Sequence, residues 1–322
     1  MPGWILMIVL SGASLMTSGS AASAEYPQRP VRMIAPISPG GGADIAARLL
    51  ARSMSETLGQ QVIVDNRPGG GNVPGTAVAA NATPDGYTVL WISGAHAINA
   101  AVRKSLPYDS VQSFEPVGLF ARMPLVLVAH PAVPAKSVPE LLVLLRSQPG
   151  RFNYASSGVG TASHLGLELF KLHGKVDTVN VSYKGAAPSI AGLLGGEVQL
   201  ALLGPLSVKP HLAGGKLRAL AVTSASRSQA FPNLPTLAES GLSKYEMTSW
   251  YGVLVPRRTP RIAVERLNEA ISVAQGDRSV VETLGQEGAE LRRQTPSQFR
   301  DYLVTEVDKY RSLIAQLGIR ME

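Results

Sequence analysis

The sequence predicts an α/β fold of two hinged lobes joined by two chain crossings. Three observations carry that reading. β-rich runs alternate with helix-period segments from Glu25 onward. The connections between them are only a few residues long, which favours parallel strands joined by crossover helices. The last stretch is helical with no strands of its own, so its helices have to cover a sheet built earlier. A chain of 322 residues has room for two domains, each able to bury a core.

Val31 to Ile37 reads as a strand and Ala43 to Leu58 as an amphipathic helix, with apolar residues at Ile45, Leu49, Leu50, Met54 and Leu58. Gln61 to Asp65 and Tyr87 to Ile92 repeat the strand pattern. Between them lie a short Ala-rich helix, Pro74 to Asn81, and the turn Pro84-Asp85-Gly86. A second set begins near Leu125. Its strands are Leu125 to Ala129, Phe152 to Ala155, Thr178 to Tyr183, Val198 to Leu203 and Leu217 to Thr223, with helices starting near Ser137, Thr161, Ala187 and Ser207. A long β-rich run follows from Tyr245 to Val255, and the chain then turns helical over Arg261 to Ala274, Ser279 to Gln286 and Ser297 to Leu317. Crossings near Met123 to Leu125 and Met247 to Trp250 assign 25–124 plus 249–322 to lobe 1 and 125–248 to lobe 2. In such a pair the loops after strand C-termini surround an interlobe cleft.

The first 24 residues read as a leader rather than as fold. Trp4 to Leu10 is apolar, Ser11 to Ser23 is small and polar, and Ala22-Ser23-Ala24 is a small-x-small cleavage pattern, although no Lys or Arg precedes the apolar run. The rival reading is a membrane anchor, which needs about 20 apolar residues. Cleavage after Ala24 sends the mature chain to an exported compartment. With no cysteine, the sequence excludes disulfides, cysteine metal sites, a thiol nucleophile and a lipid anchor. No metal and no cofactor are expected. The formal net charge of +7 raises nucleic acid, but the 30 Lys and Arg are dispersed and not interleaved with aromatics, so nucleic acid is set aside. A positive field instead favours encounter with anionic metabolites.

Four segments could carry chemistry. Ser38-Pro39-Gly40-Gly41-Gly42-Ala43-Asp44 joins a strand to a helix, and three glycines there let backbone N–H groups and a helix N-terminus face an anion. A flexible loop with Asp44 as first-turn dipole partner is the competing reading. Asn72, in a second glycine-rich turn, either faces a ligand or caps the next helix. Ser156-Ser157-Gly158-Val159-Gly160-Thr161 offers hydroxyls and first-turn N–H groups, and mirrors the first cradle from the other lobe. Lys184 and His96 follow strand ends, where a solvated lysine and a structural histidine are the plainer readings. The glycine turns do not fit G-x-G-x-x-G, and no Walker lysine, H-E-x-x-H or G-x-S-x-G occurs. A dyad of Ser156 or Ser157 with His164 competes with N-cap hydroxyls and a helix-face histidine.

Tyr26-Pro27-x-Arg29-Pro30-Val31, Pro39-Gly40-Gly41-Gly42-x-Asp44, Asn66-Arg67-Pro68-Gly69, Pro84-Asp85-Gly86-Tyr87-Thr88, Leu106-Pro107-Tyr108-Asp109, Asn153-Tyr154-Ala155-Ser156-Ser157-Gly158, Tyr183-Lys184-Gly185 and Gly214 to Val222 form an ordered set. From Tyr26 to the C-terminus this set resembles the extracytoplasmic solute receptors of tripartite tricarboxylate transporters, also called Bug receptors. The resemblance implies a monomeric periplasmic binding protein, a Venus flytrap of type II-like architecture, which hands a mono-, di- or tricarboxylate to integral membrane transporter subunits. It implies that Ser38 to Asp44 and Ser156 to Thr161 hold the proximal carboxylate through backbone groups and water. Asn72, His96, Lys184 and the turn Gly204-Pro205 would line the cleft wall. Many relatives present a polar or acidic residue after the strand that ends here in Leu202-Leu203-Gly204-Pro205, so a ligand without an α-ammonium, with an apolar or aromatic body, is expected. A ligand-sensing partner of a membrane signalling protein and a secreted hydrolase are the other classes considered.

Overall fold

The computed structural model describes residues 26–103 and 105–318. The leader read from the sequence lies outside these residues. The chain runs β1 (Val31–Ala35), α1 (Gly42–Leu58), β2 (Val62–Asn66), α2 (Val73–Ala80), β3 (Thr88–Ser93), α3 (Gly94–Val102) and β4 (Phe114–Pro124). It continues through β5 (Val126–Ala129), α4 (Val138–Ser147), β6 (Asn153–Ser156), α5 (Ala162–Gly174), β7 (Val179–Ser182), α6 (Ala186–Leu194), β8 (Leu200–Leu203), α7 (Pro205–Ala213) and β9 (Arg218–Val222). It closes with β10 (Thr248–Pro256), α8 (Arg261–Ala274), α9 (Arg278–Gly285) and α10 (Pro296–Leu317).

Two five-stranded sheets result, in the orders β2-β1-β3-β10-β4 and β7-β6-β8-β5-β9. Each contains a parallel core, β2-β1-β3 and β7-β6-β8, as short βα connections require. The expectation of parallel strands fails at β5, which pairs antiparallel with both of its neighbours, and β10, for which the sequence set no sense, does the same. Both strands lie next to a chain crossing and enter their sheets from the other lobe, so no crossover helix sets their direction. The sequence reading also missed β4 and α3. Phe114–Pro124 is an apolar run with a proline at its third and last positions, buried along nearly its whole length, and shows no alternation to betray a strand.

The two crossings are bonded to one another. Leu125, the single residue between β4 and β5, donates its N–H to the Thr223 hydroxyl at 2.7 Å and accepts the Thr223 N–H at 2.9 Å. Thr223 begins the return path, and its carbonyl accepts the Met247 N–H at 3.0 Å just before β10. Thr223 is fully buried. On the free edge of β4, Arg122 exchanges both backbone bonds with Glu290, which covers an otherwise open strand edge.

The last three helices return to the first sheet, as their lack of strands demanded. α8 lies on α1 and β4, α9 on α1, and α10 on α3 and β4. α10 also reaches α5 of the second lobe. One apolar cluster therefore runs from Ile34 and Leu90 through Trp250, Phe299 and Tyr310 to Leu127 and Leu165. Inside it Trp250 donates its indole N–H to the buried Glu306 carboxylate at 2.8 Å, and Lys309 meets the other oxygen at 3.2 Å. Among the described residues no helix is long and apolar enough to cross a membrane.

Trp250→Phe keeps the ring contacts with Phe299 and Tyr302 but leaves one oxygen of Glu306 without a donor. It should lower unfolding stability by about 1–3 kcal/mol in denaturant titration. An unchanged midpoint would show that water or Lys309 satisfies Glu306 alone.

Candidate functional site

The C-terminal ends of β1, β2 and β3 share one edge of the first sheet, and those of β6, β7 and β8 one edge of the second. The candidate residues leave the strands at these edges. In the loop from β1 to α1, Gly40 has φ +84°, a left-handed conformation that glycine adopts without strain, and Gly41 is the uncapped N-cap of α1. Ser38, Pro39, Gly40, Gly41 and Gly42 are exposed. Among the described residues no acceptor bonds the N–H groups of Gly41, Gly42 or Ala43, so the helix end keeps unspent donors.

Asp44 takes a different part from the glycines around it. It is buried, and its carboxylate faces back into the protein, accepting from the Gly40 N–H at 2.9 Å, Arg48 Nε at 2.9 Å and Asn66 Nδ2 at 2.9 Å. Burial alone would raise its pKa, but these bonds outweigh burial and hold the carboxyl below its ordinary value. Asp44 therefore shapes the loop and leaves the amides to face outward.

The loop from β6 to α5 is built the same way. Gly158 has φ +129° and Gly160 φ +78°. Thr161 caps α5 by accepting the His164 N–H at 3.4 Å, and its own hydroxyl donates to the Gly158 carbonyl at 2.7 Å. Ser163 Oγ accepts the Ser157 N–H at 3.0 Å. Ser156 Oγ is buried with no hydrogen-bond partner among the described residues, and the N–H groups of Gly158, Val159 and Ala162 are likewise unspent. His164 receives the Gly160 N–H on Nδ1 at 3.4 Å and is buried, so this nitrogen serves the loop, and among the described residues no bond joins His164 to Ser156 or Ser157.

Asn72 sits at the N-cap of α2 with φ +74° and makes no side-chain cap bond, so the capping reading does not describe it. With Pro36, Ile37, Thr76, Trp91, Ser93 and His96 it lines a cavity of about 10 Å³. His96 is buried, with Nε2 2.8 Å from the Ser110 carbonyl and its ring stacked on Tyr108 and set edge-on to Phe114. Burial pushes its pKa down to about 4, the Ser110 bond opposing only in part, so the ring is neutral near pH 7. Lys184 is exposed beside Gly185, the N-cap of α6.

One residue was not legible in the sequence. Glu287, two residues beyond α9, is buried and reaches across to the second lobe, where it accepts the Leu206 N–H at 3.1 Å. A Cβ built on Gly42 would lie 3.9 Å from Glu287 Oε1, and one built on Gly204 3.5 Å from Oε2. Glu287 thus brings the first cradle and the β8–α7 turn together. Burial raises its pKa, with the Leu206 N–H and the Lys209 ammonium opposing. The β8–α7 turn contains no acidic residue, as the sequence says, but the space beside Gly204 does hold a carboxylate. Nothing in a GQEG stretch between two helices marks it as reaching the other lobe.

Two α/β lobes, a double crossing and strand-to-helix loops gathered at facing sheet edges define a solute-binding protein of the periplasmic type. Residues 46–319 match the family described as tripartite tricarboxylate transporter family receptor. The chain belongs to that family. It is 35% identical over 321 residues to protein BugT of Bordetella pertussis, covering 98% of each chain. It is also similar to the solved periplasmic binding protein BugD, with TM-score 0.85, 32% identity and coverage of 92% of this chain and 100% of that one. An R. palustris protein, Rpa4515, solved with adipate, matches with TM-score 0.86 and 35% identity over 92% of this chain and 99% of that one.

The His96 environment makes a pH prediction. A histidine whose folded pKa lies near 4 instead of its ordinary 6.5 takes up its proton in the unfolded state first, so stability falls as pH drops between those values. His96→Gln should flatten the slope of unfolding free energy against pH across that window and leave stability above pH 7 nearly independent of pH. An unaltered slope would place the titration elsewhere.

Proposed function

We propose that this protein is an extracytoplasmic receptor that binds a small organic carboxylate in its interlobe cleft and delivers it to the integral membrane subunits of a tripartite tricarboxylate transporter. The observation that carries the reading is the pair of loops, Ser38 to Asp44 and Ser156 to Thr161, whose helix N-termini keep unspent N–H donors. Oriented amides bind a carboxylate through charge-assisted bonds without a charged side chain, and closing lobes exclude the competing water. The adipate bound by the R. palustris relative supports the ligand class. Ser156, Thr161, Asn72, Lys184 and Gly204 form the cleft wall in this reading, with Asp44 and His96 behind it as supports. Lobe 1 comprises 25–124 and 249–322, and lobe 2 comprises 125–248. The protein acts by binding alone, in the periplasm, after removal of the leader at Ala24. Affinity depends on how far the ligand favours the closed arrangement over the open one.

Gly41→Val is the direct test. Gly41 has φ −85°, and no protein atom lies within 4 Å of its built Cβ, so the branched side chain fills the cradle without straining the fold. Stability should stay within about 0.5 kcal/mol, while carboxylate affinity in calorimetry falls about a hundredfold or more, the loss of two charge-assisted bonds. Gly158→Val is a poorer probe, because φ +129° strains any L-residue there. The ligand is identified by native mass spectrometry of freshly purified protein. Unchanged affinity in Gly41→Val would move the cleft elsewhere.

A further inference from the structure

The N-termini of α1, α5 and α7 all follow strand ends, and they differ in what remains of their donors. α1 presents the free N–H groups of Gly42 and Ala43, and α5 that of Ala162. α7 presents none in its first three positions. Pro205 has no N–H, Leu206 gives its N–H to Glu287 at 3.1 Å, and Ser207 gives its own to the Gly204 carbonyl at 3.1 Å. The protein's own carboxylate therefore stands where an anion would otherwise bind at α7. The nearby Lys209 ammonium gives one of its three N–H groups to the Gln286 carbonyl at 2.7 Å, and its charge is directed to Glu287, whose ionised form it favours.

We propose that Glu287 is a specificity-determining residue of the cleft: it selects against a second carboxylate on the ligand and favours a hydrogen-bond donor or an apolar group at the α7 end. This deepens the carboxylate-receptor reading and rests on it. The argument is one of repulsion. A ligand carboxylate held by α1 and α5 meets unspent amides, whereas a second one directed to Gly204 meets Glu287 oxygens within about 4 Å of that residue's Cβ position and no free backbone N–H in the first turn of α7. Like charges brought together in a space that excludes water discriminate strongly between partners. Glu287 is buried and its two oxygens lie between Gly42 and Gly204, so it cannot swing into solvent without breaking its bond to Leu206.

The test compares straight-chain monocarboxylates with α,ω-dicarboxylates of equal length, four to eight carbons, including hexanoate and adipate, by calorimetry on the wild-type protein and Glu287→Gln. The amide keeps an oxygen for Leu206, and equal thermal midpoints verify that the variant is folded. The expected result is a wild-type preference for the monocarboxylate of about tenfold or more. In Glu287→Gln the diacid should gain about tenfold while the monoacid changes little. A wild-type preference for diacids, or a variant that shifts both series equally, overturns the proposal and makes Glu287 an interlobe tie only. Failure of every acid to bind either protein overturns the carboxylate reading itself, and the inference with it.

Discussion

The bonds between the two chain crossings are the constraint on which everything else hangs. A single residue, Leu125, separates the last strand of one sheet from the first crossing strand of the other, and its N–H and C=O are both spent on Thr223. Met247 binds the same threonine before the chain re-enters the first sheet. Two peptide segments tied at one buried point fix where the lobes join. In the proposed reading this join sets the register of the two loops, which backbone amides need if they are to bind a ligand without the reach of long side chains.

The chemistry of the cleft follows from which groups the fold has already satisfied. Asp44 is a carboxylate at a helix N-terminus, yet it serves the loop and not a ligand, because Arg48, Asn66 and the Gly40 amide surround it. Thr161 and Ser163 likewise spend their hydroxyls on the turn that holds Gly158 and Gly160 in conformations suited to glycine. In the proposed reading, recognition is left to amides whose positions the backbone dictates, a site suited to a carboxylate end and little concerned with the ligand's body.

Much of this was legible in the sequence, and the failures have physical causes. Amphipathic segments with good start and stop residues gave their helices nearly to the residue, as at Arg261 to Ala274 and in the long C-terminal helix that Thr295 and Gln298 open with a capping box. Glycine turns between strand and helix marked the cradles because positive φ is written in residue type. β4 was missed because a strand buried on both faces shows no period. β5 was assigned the wrong sense because direction at a crossing is a property of the two-lobed topology and not of local spacing. For Asp44 residue type left a ligand cradle and a first-turn dipole partner open, and for His96 a ligand contact and a structural hydrogen bond; their partners, the Gly40 amide, Arg48 and Asn66 for one and the Ser110 carbonyl for the other, are not written in residue type. Glu287 was invisible for a related reason: its burial comes from contact with a lobe some eighty positions earlier in the chain.

The backbone pairing of Arg122 with Glu290 has a mechanical meaning. It staples the loop that carries Glu287 to the strand that leaves for the other lobe two residues later. In the proposed reading, the carboxylate that selects among ligands is thereby mounted beside the strand that crosses to the other lobe, so a change in lobe angle would also move the group that chooses the cargo.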